Sequence, residues 1–124
     1  MILVDTDIII WILRGNETFR DALKKMVIET KGDIFITPIQ FAEIYAGIRP
    51  NEEKRIEKFF SSFNIISIDK DTGRLAGLFM KQYGKSHHVT LADALIAASS
   101  ELNHFKLWTG NRKHYPMLEE GQFV

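Results

Sequence analysis

The chain begins with Met1-Ile2-Leu3-Val4-Asp5-Thr6-Asp7-Ile8-Ile9-Ile10, an apolar run that ends at a carboxylate and then turns apolar again. Residues 2–4 do not alternate with polar residues, a pattern typical of a strand buried on both faces in a parallel sheet. Thr6 and Asp7 are good N-caps for the helical pattern that follows. Ligands of open α/β sheets bind at the carboxyl ends of strands. The segment therefore predicts either a chemical role for Asp5 or a buried carboxylate that only caps the next helix.

Length and composition predict one globular domain over residues 1–124, with 45% hydrophobic and 26% charged residues. No apolar run approaches the roughly 20 residues of a membrane span, so no membrane association is expected. No basic region precedes the first apolar residues, as it would in a signal peptide. The chain has no cysteine, which excludes thiolate metal sites and fits a cytoplasmic protein. Because 16 basic residues balance 16 acidic ones, any nucleic-acid surface must be local.

Short apolar runs alternate with helical patterns along the chain, which predicts an α/β fold with right-handed crossovers around a parallel sheet of four to five strands. Thr37, Pro38 and Gln40 form the signature of a capped helix start. A helix is predicted to end at Gly84, followed by a polar loop. The predicted strands are 2–4, 34–36, 64–68 and 105–108, with a possible edge strand at 121–124. The predicted helices are 8–13, 17–30, 37–48, 51–61, 71–83 and 90–102.

Three acidic residues lie in apolar surroundings: Asp5, Glu43 and Asp93. An unpartnered buried carboxylate is costly, so each needs a cap, a cation or a metal. Glu43 could instead face solvent, because it lies off the apolar stripe of its helix. Asp93 could complete a capping box with Thr90. Structural explanations therefore remain open for each residue taken alone.

A parallel sheet could bring the three carboxylates to one edge, where their mutual repulsion would be offset by a divalent ion. All-oxygen ligands select hard ions such as Mg²⁺ or Mn²⁺. Such ions polarise phosphoryl oxygens and lower the pKa of bound water. The three carboxylates thus favour metal-assisted phosphodiester hydrolysis.

The segments around these acids, in chain order, resemble the successive motifs of PIN-domain proteins. They are Val4-Asp5-Thr6-Asp7, Thr37-Pro38 leading to Glu43, Ala92-Asp93-Ala94-Leu95-Ile96-Ala97-Ala98, and Leu107-Trp108-Thr109-Gly110-Asn111. Size and helix layout are most similar to the VapC toxins of bacterial and archaeal toxin–antitoxin pairs. The resemblance implies a three-layer α/β/α sandwich and a Mg²⁺- or Mn²⁺-dependent ribonuclease. It also implies a homodimer that a VapB-type antitoxin neutralises.

The same resemblance implies roles for individual residues. Asp5, Glu43 and Asp93 would be the catalytic and metal-binding acids. Four polar residues would support them: Thr6, Asp7, Thr109 and Asn111. Many relatives carry a fourth acid after the last core strand, whereas this chain has Asn111 there and no carboxylate. Three basic residues flank these motifs and are candidates for RNA contacts: Lys85, Arg112 and Lys113.

Two other hypotheses remain open from the sequence. A phosphoacceptor receiver domain has a similar length and acids at strand ends, with Asp69 as the candidate acceptor, but the lysine that it requires is missing. A PIN-like interaction module without catalysis is suggested by the missing fourth acid. The sequence does not indicate which RNA would be cut, because RNA is read largely through shape and single-stranded loops.

Overall fold

The computed structural model describes residues 1–124, in which four parallel strands are connected by helices. The strands are β1 (Ile2–Val4), β2 (Ile34–Ile36), β3 (Asn64–Ile65) and β4 (Lys106–Trp108). The helices are α1 (Thr6–Leu13), α2 (Glu17–Glu29), α3 (Pro38–Ala46), α4 (Glu53–Phe60), α5 (Lys70–His87) and α6 (Leu91–Leu102). Two single 3₁₀ turns follow β4, at Arg112–His114 and Glu120–Gln122.

The strand order is β3-β2-β1-β4. The chain moves outward from β1 through β2 to β3 and then returns to the opposite side of β1 to form β4. This reversal creates a topological switch point between the carboxyl ends of β1 and β4, where open α/β sheets bind their ligands. In the register, Val4 pairs with Trp108, so Asp5 and Thr109 are the next residues beyond the paired strands.

The sheet separates two apolar cores, which confirms the α/β/α sandwich. Leu3 and Leu107 point into one core, together with buried residues of α5 and α6. Val4 and Trp108 point into the other, which contains buried residues of α1, α3 and α4. Because both faces are covered, the central strands lack polar alternation, as predicted. All six helices are too short or too polar to traverse a lipid bilayer.

Several predicted starts and ends are confirmed, and one cap is corrected. Thr37 and Gln40 form the predicted capping box at the start of α3. Helix α1 ends at Leu13, as predicted, and the turn that follows it contains Gly15 at φ +90°. The N-cap of α1, however, is Asp5 rather than Thr6 or Asp7, because the Asp5 side chain accepts the Thr6 N–H. That Asp5 caps the next helix was one of the two alternatives for this residue, and it is confirmed.

The predicted polar loop at residues 85–88 is wrong. Helix α5 continues through Gly84 to His87 and ends at His88, which adopts the left-handed conformation at φ 53°. A glycine inside a helix costs only about 1 kcal/mol, and the Tyr83 ring packs edge-on against the His87 ring at 5.5 Å. Packing therefore outweighs the local stop signal.

The third and last strands are also shorter than predicted. Strand β3 comprises only two residues, and Asp69 lies beyond it as the N-cap of α5. The predicted edge strand at 121–124 is reduced to a 3₁₀ turn and one parallel bridge between Leu107 and Phe123.

Candidate active site

The carboxyl ends of β1 and β4 place Asp5 beside Thr109. The Asp5 backbone N–H donates to the Trp108 carbonyl at 2.9 Å. The Thr109 hydroxyl donates to Asp5 Oδ2 at 2.8 Å. This pair lies at the topological switch point, so the fold directs a buried carboxylate to the position where α/β sheets bind ligands.

Asp5 is only 7% exposed, and its carboxylate is held by three donors. Oδ1 accepts the Thr6 backbone N–H at 2.8 Å. Oδ2 accepts the Thr109 hydroxyl and also the Tyr115 hydroxyl, the latter at 2.9 Å. Burial raises the pKa of Asp5 to about 6, while the Thr109 hydrogen bond lowers it and the nearby charge of Asp7 raises it. The donors fix the orientation of the carboxylate, but they do not cancel the effect of burial on its ionisation.

Thr6 connects Asp5 to Glu43. The Thr6 hydroxyl donates to Glu43 Oε1 at 2.7 Å, while its backbone N–H donates to Asp5. Glu43 is exposed, as the solvent-facing alternative predicted. Its carboxylate nevertheless accepts a hydrogen bond from Thr6, the residue next to Asp5. Two acids predicted from separate segments are therefore linked through one threonine.

Gln40 positions the helix that carries Glu43. It is fully buried, and its Nε2 donates to the Val4 carbonyl at 2.9 Å. Its Oε1 accepts the Thr37 backbone N–H at 2.9 Å. One side chain thus closes the capping box of α3 and ties that helix to the end of β1, immediately before Asp5.

Asp7 contacts the segment after β4, where many relatives carry a fourth acid and this chain has Asn111. Its Oδ2 accepts the Gly110 backbone N–H at 2.9 Å and the Asn111 amide at 3.1 Å. Burial raises the pKa of Asp7, and the hydrogen bond from Gly110 opposes this rise. A Cβ at position 110 would lie 2.7 Å from Asp7 Oδ2, so any larger residue there would displace the Asp7 carboxylate from its present position. Asp7 therefore supplies a carboxylate beside Asn111.

Asp93 lies half-buried in the first turn of α6. Its backbone N–H donates to the Thr90 hydroxyl at 3.2 Å, which forms one half of a capping box. The reciprocal bond from the Thr90 N–H to the Asp93 carboxylate is absent. Its negative charge, like that of Asp5, raises the pKa of Tyr115, although burial is the larger cause. Capping therefore accounts for the Asp93 backbone but not for its carboxylate.

Comparison with known proteins identifies the family of this architecture. The PIN domain family model matches residues 2–117. The chain belongs to the PIN-domain family. Ribonuclease VapC10 of Mycobacterium tuberculosis is 35% identical over 121 residues, covering 97% of this chain and 90% of the relative. Ribonuclease VapC19 of the same species is 32% identical over 123 residues, covering 98% of each protein.

A solved structure agrees with the assignment to VapC-type PIN domains. The toxin–antitoxin complex from Klebsiella pneumoniae contains a chain that is 26% identical, with a TM-score of 0.82 over 100% of this chain and 96% of that chain. PIN-domain membership excludes the receiver-domain hypothesis. Asp69, its candidate phosphoacceptor, instead caps α5, accepting both the Thr72 N–H and the Thr72 hydroxyl.

The acids of this PIN domain have the oxygen donors that Mg²⁺ and Mn²⁺ prefer. No lysine, arginine or histidine forms an ion pair with any of the carboxylates described above, which are those of Asp5, Asp7, Glu43 and Asp93. No group of three or more His, Cys, Asp or Glu side chains converges closely enough to form a ready metal cage. That Asp5, Glu43 and Asp93 share one ion therefore stays a prediction. The uncompensated buried carboxylate of Asp5 and the all-oxygen donor set are consistent with it.

The three predicted RNA contacts of the PIN domain are all exposed, but they differ in availability. Arg112 pairs with Glu120, donates to the Val124 carbonyl at 2.9 Å and lies 4.9 Å from the centre of the Phe123 ring. Its guanidinium is thus already engaged by the C-terminal segment. Lys113 follows it in the 3₁₀ turn, and Lys85 lies in the last turn of α5. All three remain predictions.

Sequence reasoning missed several residues around the site. Tyr115 gave no local signal, although a buried tyrosine generally finds a hydrogen-bond partner. Gln40 was recognised only as a cap. A groove of about 410 Å³ beside Glu43 is lined by three arginines that no motif singled out. They are Arg14, Arg49 and Arg55.

Proposed function

We propose that this protein is an endoribonuclease that hydrolyses RNA phosphodiester bonds with a Mg²⁺ or Mn²⁺ ion bound by carboxylates. The single observation that carries the proposal is the buried carboxylate of Asp5 at the switch point, which has no cationic partner. The VapC relatives are named ribonucleases and are similar over nearly the whole chain, which supports the choice of RNA as substrate.

In this proposal, Asp5, Glu43 and Asp93 hold the ion, which would polarise a phosphoryl oxygen and lower the pKa of bound water. Thr6 orients Asp5 and Glu43 together through its N–H and its hydroxyl. Because the Asn111 amide nitrogen donates to Asp7, the amide oxygen remains available as a neutral ligand.

We further propose that the enzyme is the toxin of a type II toxin–antitoxin pair. The similar chain from Klebsiella pneumoniae belongs to a toxin–antitoxin complex, which supports an antitoxin protein as partner. The resemblance to VapC toxins adds the expectation that this antitoxin is of the VapB type and that the toxin is a homodimer. A cysteine-free chain is compatible with the reducing cytoplasm, where the toxin would meet its RNA.

The deciding experiment compares Asp93→Asn with Asp71→Asn. Both acids lie in the first turn of a helix, so the second variant controls for the loss of a favourable helix-dipole interaction. We expect RNA cleavage by the wild type in Mg²⁺ or Mn²⁺, no cleavage in EDTA, and at least about a 100-fold loss in Asp93→Asn alone. Cleavage that is insensitive to EDTA would contradict the proposal.

Growth assays test the biological role. Expression of the wild type without antitoxin should arrest growth, whereas Asp93→Asn should be tolerated and co-expression of the antitoxin should restore growth. A folded, metal-binding wild type that binds the antitoxin but neither cuts RNA nor arrests growth would favour the non-catalytic interaction module.

A further inference from the structure

The three donors on Asp5 are distributed unequally between its two oxygens. An ionised carboxylate offers about four acceptor positions, two on each oxygen. The Thr109 and Tyr115 hydroxyls occupy both positions of Oδ2. The Thr6 N–H occupies one position of Oδ1. One acceptor position therefore remains, and it is on Oδ1.

Both hydroxyls on Oδ2 are directed by their surroundings. Thr109 Oγ1 accepts the Asn111 backbone N–H at 3.0 Å, so its own proton is free to point at Asp5. Tyr115 is 1% exposed, and its ring belongs to the core that packs α5 and α6 against the sheet. The Tyr115 hydroxyl has Asp5 as its hydrogen-bond partner. Phenylalanine would fill the same core volume, so packing alone does not explain the hydroxyl.

The Tyr115 hydroxyl remains a donor at any physiological pH. Burial raises the pKa of Tyr115 well above its ordinary value, and the negative charges of Asp5, Asp93 and Asp7 raise it further. A protonated phenol beside a carboxylate can only stabilise and orient that carboxylate.

We propose that Tyr115 is a positioning residue which, together with Thr109, saturates Oδ2 of Asp5 and limits Asp5 to a single metal bond through Oδ1. This inference rests on the proposed metal-dependent function. A single bond from Asp5 leaves more of the six positions around Mg²⁺ to other ligands, including water and a substrate phosphate.

The test is a Mn²⁺ titration followed by electron paramagnetic resonance, with Tyr115→Phe compared with the wild type. Tyr83→Phe is the matched control, because Tyr83 is half-buried on α5 with its ring against His87. We expect Tyr115→Phe to weaken Mn²⁺ binding about 10-fold, as is typical when an outer-shell partner of a ligand is lost. Tyr83→Phe should bind Mn²⁺ like the wild type.

Kinetic and melting measurements separate positioning from a structural role. We expect Tyr115→Phe to lower kcat for RNA cleavage with KM unchanged, because Tyr115 acts through Asp5 and not on the RNA. Titrations are run well below the melting temperature of each variant, so that unfolded protein does not contribute. If Tyr115→Phe loses Mn²⁺ binding only to the extent that it is unfolded, the inference is overturned.

Thr109→Val provides a second, independent test of the shared oxygen. Because both hydroxyls bind Oδ2, their effects on Mn²⁺ affinity should not add in the double variant, and additive effects would overturn the inference. If the wild type and Tyr115→Phe bind Mn²⁺ with equal affinity, the role of Tyr115 is overturned but the proposed metal site is not. A wild type that does not bind Mn²⁺ would overturn the proposed metal site as well.

Discussion

Asp5 is ionised at neutral pH in a place where ionisation opposes folding. Burial raises its pKa from 3.8 to about 6 in the folded protein. Between these values the folded state binds more protons than the unfolded state, so the free energy of unfolding decreases as pH rises. The favourable contribution of Asp5 is complete below the unfolded pKa and is lost as pH rises through about 6. A divalent cation would offset this loss at neutral pH.

We therefore expect Asp5→Asn to gain stability relative to the wild type as pH rises, in the absence of metal. The difference in unfolding free energy should change by roughly 3 kcal/mol between about pH 2 and about pH 8. Urea denaturation in EDTA at a series of pH values measures it, with Asp71→Asn as the exposed control. A difference that does not vary with pH would mean that Asp5 titrates normally.

The side-chain amide N–H of Asn111 donates a hydrogen bond to the Asp7 carboxylate. A second prediction at the residue scale follows from this contact. Asn111→Asp should replace this hydrogen bond with repulsion between two carboxylates and lower metal-free stability by about 1–3 kcal/mol. Stabilisation by added Mn²⁺ should then increase, because the ion offsets the repulsion.

Thermal melting with and without Mn²⁺ provides the measurement for Asn111→Asp. Asn51→Asp, at an exposed position, controls for the added negative charge. Equal metal-free melting of Asn111→Asp and the wild type would argue against the contact with Asp7.

At the scale of secondary structure, helix α3 is positioned by a polar side chain in an otherwise apolar interior. Gln40 joins the Val4 carbonyl to the Thr37 N–H. Its partners lie at the end of β1 and at the start of α3, so Gln40 sets where Glu43 lies relative to Asp5.

Gln40→Ala should therefore destabilise the protein by roughly 3 kcal/mol, because buried backbone groups lose their partner and a cavity remains. RNA cleavage measured well below the melting temperature should also fall, since Glu43 loses its placement. Gln82→Ala, at an exposed position of α5, is the control. Unchanged stability would show that water or another group replaces Gln40 without loss.

At the scale of the whole molecule, a formal net charge of zero provides no general attraction for RNA. Any attraction for RNA phosphates must therefore come from basic side chains that are clustered at one place on the surface. Of the three arginines in the groove beside Glu43, Arg55 already donates to the Leu13 carbonyl and to Glu52. Arg14 and Arg49 form no ion pair, so they are available to RNA phosphates.

We expect the double variant Arg14→Gln, Arg49→Gln to bind RNA more weakly. Each lost phosphate contact on a single strand should reduce the slope of log affinity against log salt by about 0.7. Binding is measured in the Asp93→Asn background, so that the RNA stays intact. Lys25→Gln, Lys81→Gln is the control, and an equal reduction in that variant would show that the effect is general charge rather than the groove.

The sequence by itself determined the fold class and the features that depend on neighbouring residues. The buried strands β1, β2 and β4 could be predicted because both of their faces are covered. The start of α3 could be predicted because Thr37, Pro38 and Gln40 interact within one turn. Asp5 could be placed at the end of a strand because that position depends only on where the apolar run stops.

Only the tertiary structure decided which side chains meet. Tyr115 reaches Asp5 from 110 residues away, and Asn111 reaches Asp7 from 104 residues away. The length of α5 likewise depended on packing that overrides the stop signal of Gly84. Such contacts depend on how the crossovers return β4 to the side of β1, and this return brings together segments whose local patterns contain no information about one another.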